Sequence, residues 1–359
     1  MNNDNRTYYE LSHPEKRLFY LQKYYPETPM WNVPLSVIFK SSVNITVLKK
    51  AINLFIRNNQ NMRIRFTETE AGPKQYITEF IEQDITVVEF PGNAGVENMH
   101  EWAENESRKA FTDLAGGELS RIFVVRFDNN RGGFYINCHH MICDGTSLAF
   151  VTGRIVEYYE KLESGETDIT EQFPSYFNYL KSEADYMASS EFEKDRDYWF
   201  NKYKTDIEQL ELRPAIDNED LKISRSLHKA PADISEKIYG YCEKNNISVF
   251  KFFMSSLYAY FFRLTMKEDI VIQTAHHNRA EEFKKSTGMF VSSLPMRFNF
   301  SADTTFKALC DKFSDEFKEM LSHQKFPGDL LSSELRRQNR DPQNLFTITL
   351  AQFLKNDIG

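Results

Sequence analysis

The sequence lacks any run of about 18 apolar residues, the length a helix needs to cross a bilayer. Residues 1–9 are polar, so the apolar stretch of a signal peptide is missing as well. Positive charge is not in excess: 44 lysines and arginines stand against 52 aspartates and glutamates, a net charge of −8. That balance argues against nucleic-acid binding, which needs a basic surface. Cysteine is scarce, and Cys138, Cys143, Cys242 and Cys310 form neither a metal-type spacing nor a disulfide framework. Together these absences fit a reduced, cytoplasmic protein with no membrane span. Aromatics, by contrast, are plentiful. Thirty phenylalanines and 18 tyrosines in 359 residues suit two lobes of ordinary domain size, with aromatic-rich cores or an aromatic-lined tunnel.

Chemistry concentrates in Phe134-Tyr135-Ile136-Asn137-Cys138-His139-His140-Met141-Ile142-Cys143-Asp144-Gly145. Its first half predicts a buried strand, entered through the turn signal Asp128-Asn129-Asn130-Arg131-Gly132-Gly133. Side chains alternate along a strand, so His140 shares a face with Phe134, Ile136 and Cys138, and His139 shares the other with Tyr135 and Asn137. Two histidines pointing apart do not make a common metal site. Asp144-Gly145 predicts a sharp turn and 146–162 a helix, which puts an imidazole at the rim of a sheet. A histidine at a strand end is as often a satisfied rim residue as a functional one, so the rest of the chain has to decide.

Ser12-His13-Pro14-Glu15 is a capping box that predicts a helix start. Further helices are predicted over 44–59, 96–111, 234–243, 248–264 and 305–321, the fourth of these almost wholly apolar and expected to be buried. Strands are predicted over 62–66, 121–127, 133–141, 269–275 and 347–353, with 121–127 and 133–141 as a hairpin central in its sheet. The best linker signal is the polar stretch between 160 and 173, and a second half begins clearly at Leu221. A second pair, His276-His277, has no Asp-Gly after it and reads as structural.

His-His-x-x-x-Asp-Gly at the end of an apolar strand resembles the core motif of condensation domains of nonribosomal peptide synthetases, within the chloramphenicol acetyltransferase-like acyltransferases. Six other blocks resemble that family in the same order. They are Ser12 to Leu21, Met62-Arg63-Ile64-Arg65-Phe66, Ser175 to Leu180 with Asp197-Tyr198-Trp199, Thr287 to Arg297, His323-Gln324-Lys325-Phe326-Pro327, and Asn344-Leu345-Phe346. Two departures stand out: Asn58-Asn59-Gln60 replaces the usual Arg-His-Glu, and Ser292-Ser293 replaces the usual Asn-Thr.

The resemblance implies an α/β fold of two chloramphenicol acetyltransferase-like lobes in a V with a tunnel between them. The lobes are expected at 1–170 and 171–359, the second incomplete at its C-terminal end. The implied reaction joins a donor acyl or peptidyl thioester to a carrier-bound aminoacyl acceptor as an amide. His140 and the Gly145 N–H are then the catalytic groups, and His139 and Asp144 are structural, with Arg63 paired to Asp144 and Arg65 turned to solvent. Ser147, Ser292, Ser293, His323 and Gln324 are secondary or tunnel residues. Nothing is expected to bind as a resident cofactor or metal; phosphopantetheine arms arrive on carrier proteins. The expected partners are those carriers and the adenylation domain of the same synthetase. Met1 lies just ahead of the first block, which implies a donor supplied in trans by another carrier or as acyl-coenzyme A to a starter domain. Alternatives are a stand-alone acyl-coenzyme A-dependent acyltransferase, an epimerisation domain and an inactive carrier-recruiting domain. The plant-type acyltransferase branch would add Asp-Phe-Gly-Trp-Gly near the end, which is not present.

Overall fold

Local signals start the first helix where they predict it. After β1 (Tyr9–Glu10), α1 (His13–Tyr24) begins at Ser12, whose hydroxyl accepts from the Glu15 N–H while the Glu15 carboxylate accepts from the Ser12 N–H. β2 (Asn32–Ser42) leads to α2 (Ile45–Asn58), capped by Asn44, with Leu48, Ala51, Ile52, Phe55 and Ile56 buried along one stripe. β3 (Ile64–Thr69) and β4 (Gly72–Ile77) form a hairpin that turns at Gly72, where φ is +107°. The strand predicted from residue 62 starts later because Gln60–Arg63 close a 3-10 turn capped by Asn59.

β5 (Val87–Phe90), α3 (Gly95–Ser107), β6 (Ser120–Phe127), β7 (Arg131–His139) and α4 (Gly145–Glu163) complete the part that builds the site. The larger sheet has the order β2-β7-β6-β5, mixed because β5 runs parallel to β6. β7 is central, antiparallel to both neighbours, and buried at every residue after Arg131. Cover on both faces explains its nearly unbroken apolar sequence.

The computed structural model describes residues 6–207, 210, 226–345 and 348–351. They group into two units: one of residues 6–185 with Arg279–Phe290, the other of Tyr186–Asn278 and the described residues of Val291–Phe353. Helix α5 (Tyr176–Met187) spans the division in sequence. Residue 170, where the lobe boundary was expected, lies inside the first unit, while Leu221 lies outside the described residues.

The second unit contains α6 (Ser190–Lys202), α7 (Ala232–Asn245), α8 (Val249–Thr265), β8 (Asp269–His276), β9 (Ser292–Asn299), α9 (Phe306–Ser322), α10 (Gly328–Arg337) and β10 (Thr349–Leu350). Its sheet has the order β10-β8-β9, and its core gathers Met254, Tyr258, Ile272, Phe298 and Phe313. α8 departs from expectation, because only one face is buried. Phe253, Tyr260 and Leu264 are 43%, 58% and 56% exposed. Of the strand predicted over 347–353, Thr349–Leu350 pair in parallel with β8, and Thr347, Gln352 and Phe353 lie outside the described residues.

Candidate active site

Both neighbouring strands fix the backbone where β7 ends. The His139 N–H donates to Leu119 O and the His140 N–H to Trp31 O, each at 2.8 Å. The N–H groups of Ile142 and Cys143 donate back to the carbonyls of His139 and His140, at 3.1 and 3.4 Å, closing a turn. Asp144 then caps α4, its Oδ1 accepting from the Ser147 N–H at 2.7 Å. Gly145 is the first residue of that helix, so its N–H has no intrahelical acceptor.

The two histidines have opposite environments. His139 is fully buried, and its Nδ1 accepts from the Met141 N–H at 3.1 Å. The ring proton therefore sits on Nε2, 3.1 Å from the Gln22 side-chain oxygen. Burial, helped by the neighbouring imidazole, pushes His139 down to about 3. Every polar atom of that ring is in use. His140 is part-buried, with Nδ1 3.1 Å from Met289 Sδ, and among the described residues Nε2 has no partner. Burial lowers its pKa below the ordinary histidine value, with Asp144 opposing and Arg17 adding to the shift.

The partner of Asp144 corrects an expectation. Arg279, not Arg63, pairs with it: Arg279 Nη2 donates to Asp144 Oδ1 at 2.7 Å, and the two side chains are 4% and 0% exposed. The guanidinium also donates to the carbonyls of Phe283 and Ser286, at 3.1 and 2.6 Å, and lies 3.9 Å over the Phe290 ring. Arg63 instead donates to Thr78 O. The reason is local: β3–β4 pairing continues into a bond from the Thr78 N–H to Arg63 O at 3.1 Å, holding the arginine beside its own hairpin. Arg65 is not solvated either. It is 8% exposed, donates to Ile64 O at 3.0 Å and pairs with Glu118 at 3.1 Å, because the first half of β3 is buried throughout.

Ser147 joins the same network. Its hydroxyl donates to Gly288 O at 2.9 Å and accepts from the Gly288 N–H at 3.1 Å and from Arg279 Nη2 at 2.6 Å, which uses all its capacity. The Asp144 N–H also donates to Gly288 O at 3.1 Å, and Asp144 Oδ2 accepts from the Phe290 N–H at 3.2 Å. Sequence reasoning missed Arg279 and Met289 as parts of this site. The available signal was Asn278-Arg279, directly after the His276-His277 pair, where Asn278 holds a left-handed φ of 45°.

Thus His139, His140, Asp144, Gly145, Ser147 and Arg63 belong to the first unit, while Ser292, Ser293, His323 and Gln324 belong to the second. Ser292 and Ser293 open β9 opposite His276 and Ala275. His323 ends α9, with Nδ1 2.7 Å from Asp195 Oδ1 and its ring stacked on Tyr198 at 4.0 Å. Tyr186 donates to the other Asp195 oxygen at 2.6 Å. Gln324 follows His323 and opposes the burial that pushes His276 down to about 4. Among the described residues, no group of three or more His, Cys, Asp or Glu side chains could hold a metal ion. No helix among them is long and apolar enough to cross a membrane.

Mixed sheets, covering helices and a histidine presented at the end of a central strand describe an α/β protein of the acyltransferase type. The chain belongs to the condensation-domain family, whose model matches residues 5–356. Condensation domains catalyse amide-bond formation, an acyl transfer. The chain is 31% identical over 350 residues to surfactin synthase subunit 1 of Bacillus subtilis (strain 168), a match covering 96% of this chain and 10% of that protein. It is 29% identical over 346 residues to a plipastatin synthase of the same organism, covering 95% of this chain and 13% of that one. The chain thus spans about a tenth of the length of these relatives. Among solved structures, the first condensation domain of the calcium-dependent antibiotic synthetase matches with a TM-score of 0.81 at 20% identity, covering 97% of this chain and 83% of that one. A starter condensation domain of rhizomide synthetase, a variant in complex with C8-CoA, matches at 0.80 and 20%, covering 96% and 78%. At such identity the likeness to the solved structures is one of fold.

Proposed function

We propose that this chain joins a donor acyl or peptidyl thioester to a carrier-bound aminoacyl acceptor, with His140 as the side chain that handles the proton. The observation that carries this reading is the free Nε2 of a part-buried, neutral imidazole at the end of β7. The acceptor amine attacks the donor carbonyl and gives up a proton to Nε2. A tetrahedral oxyanion forms within reach of the Gly145 N–H. The attack itself makes the C–N bond; collapse of the oxyanion restores the carbonyl, breaks the C–S bond and returns the proton to the departing thiolate. Proton transfer of this kind contributes typically ~10²–10⁴-fold in rate, and holding two tethered reactants in line can contribute more. Asp144 acts through the turn it caps, held by Arg279.

Phosphopantetheine arms on carrier domains deliver both substrates, in the cytoplasm, alongside an adenylation domain of the same synthetase. The division into lobes near residue 170, with Ser292, Ser293, His323 and Gln324 lining the second, belongs to this proposal. A starter role, with acyl-coenzyme A as donor, is supported by the shared fold of the rhizomide starter domain that holds C8-CoA. Intact-protein mass spectrometry of an acceptor carrier incubated with the chain tests both. An acyl-aminoacyl carrier formed with acyl-coenzyme A supports the starter reading, and one formed only with a donor carrier supports elongation. No amide with either donor contradicts the proposal.

A further inference from the structure

The contact between Met289 and His140 joins two residues 149 positions apart in the chain, and several bonds hold it in place. A thioether sulfur offers lone pairs and no proton. A bond of 3.1 Å between it and Nδ1 therefore requires the ring hydrogen on Nδ1 and leaves Nε2 with its lone pair. Among the described residues, the backbone of His140 itself is the other hydrogen-bond partner of the ring, and a carbonyl also accepts.

Met289 is held where it must be. Both backbone groups of Gly288 bond to Ser147, and its carbonyl accepts from Asp144 as well. Met289 O accepts from the Tyr176 hydroxyl at 2.7 Å, a hydroxyl that also meets Ser12 Oγ at 2.9 Å. The Phe290 N–H donates to Asp144. Gly288 has φ +152°, and the Tyr176 ring occupies the place where a Cβ would stand. The Met289 side chain, 2% exposed, then has little freedom except to lie on His140.

We infer that Met289 is a positioning residue for His140: its sulfur holds the Nδ1–H and so presents the Nε2 lone pair to the acceptor amine. The inference rests on the proposed role of His140 and adds how that role is set. A carboxylate at this place would fix the same tautomer but would also stabilise the imidazolium. Sulfur, a weak acceptor, orients the ring without that charge. Asp144 and Arg279 then bear on His140 through the 288–290 backbone, which explains how a buried ion pair that does not bond the imidazole still matters to it.

The test uses the full chain with isotopically labelled histidine, the ring nitrogens read by NMR at neutral pH, and the His140 signals assigned by their loss in His140→Ala. Wild type is expected to show a protonated Nδ1 and an unprotonated Nε2. Met289→Leu keeps the volume but removes the sulfur acceptor, leaving the His140 backbone as the ring's remaining partner. It should mix the tautomers and lower kcat by about tenfold with KM unchanged, short of the ~10²–10⁴-fold loss of a missing base. Met289→Gln, whose side-chain oxygen can accept from the same N–H, should restore both readouts. A proton on Nε2 in wild type overturns the inference, as does Met289→Leu with an unchanged tautomer, whatever its kcat. Those results leave amide formation standing. If no thioester pair yields an amide, the proposed function fails, while the ring-nitrogen spectra still decide the tautomer.

Discussion

His140 titrates against its surroundings, and the direction is measurable. Burial lowers its pKa, so the ring is neutral at neutral pH and loses its capacity as a base only as pH falls through the depressed value. An NMR titration should place its inflection below the ~6.5 of a free histidine; one at or above that value would contradict the environment described. Arg279, which pairs with Asp144, and Arg63, which does not, make a second contrast. Removing one partner of the buried Asp144–Arg279 pair leaves a bare charge, a loss of about 3–5 kcal/mol. In denaturation experiments, Asp144→Asn and Arg279→Gln should therefore couple strongly. Asp144→Asn and Arg63→Gln should add to within about 0.5 kcal/mol, because Arg63 bonds its own hairpin. His140 and Asp144 were legible in the sequence because their motif is local. The partner was not, since Arg279 stands 135 residues away and nothing near it in sequence specifies the contact.

Helix α1 carries a proton that an exposed helix would not. Burial raises Glu15 from 4.5 to about 8, outweighing the bonds from Ser12 and Gln75 that favour its charge. The folded state thus keeps a proton that the unfolded chain sheds above about pH 4.5. The associated stability is complete below that pH and is lost as pH rises towards 8. Chemical denaturation across this window should show Glu15→Gln gaining on wild type as pH rises; a constant difference would refute it. The turn at Gly288 makes a steric prediction instead. Gly288→Ala forces a positive φ on alanine and drives its Cβ into the Tyr176 ring, a cost of about 2–4 kcal/mol by the same measurement. Elements with caps were readable, because a capping box spans only four residues of sequence, as Ser12 to Glu15 shows. α8 was readable as a helix over 248–264 but not in its burial, because an apolar composition does not say which face is covered, and Phe253, Tyr260 and Leu264 face outward.

At the scale of the molecule, the chain leaves its first unit after Asp185, returns to it for Arg279–Phe290 and then passes back to the second. No compositional break marks that excursion in the sequence. Contacts such as Asp144 with Arg279 and Ser147 with Gly288 define it, and they are long-range. The excursion also gives the site its logic: a segment distant in sequence supplies the arginine that fixes the turn and the methionine that meets the imidazole. The family was legible because its blocks occur in order, and the match over residues 5–356 confirms it. The most direct test of the account is the single-turnover rate of amide formation between loaded donor and acceptor, compared for wild type and His140→Ala. The account predicts a fall of ~10²–10⁴-fold with the variant still folded, and an unchanged rate would contradict it.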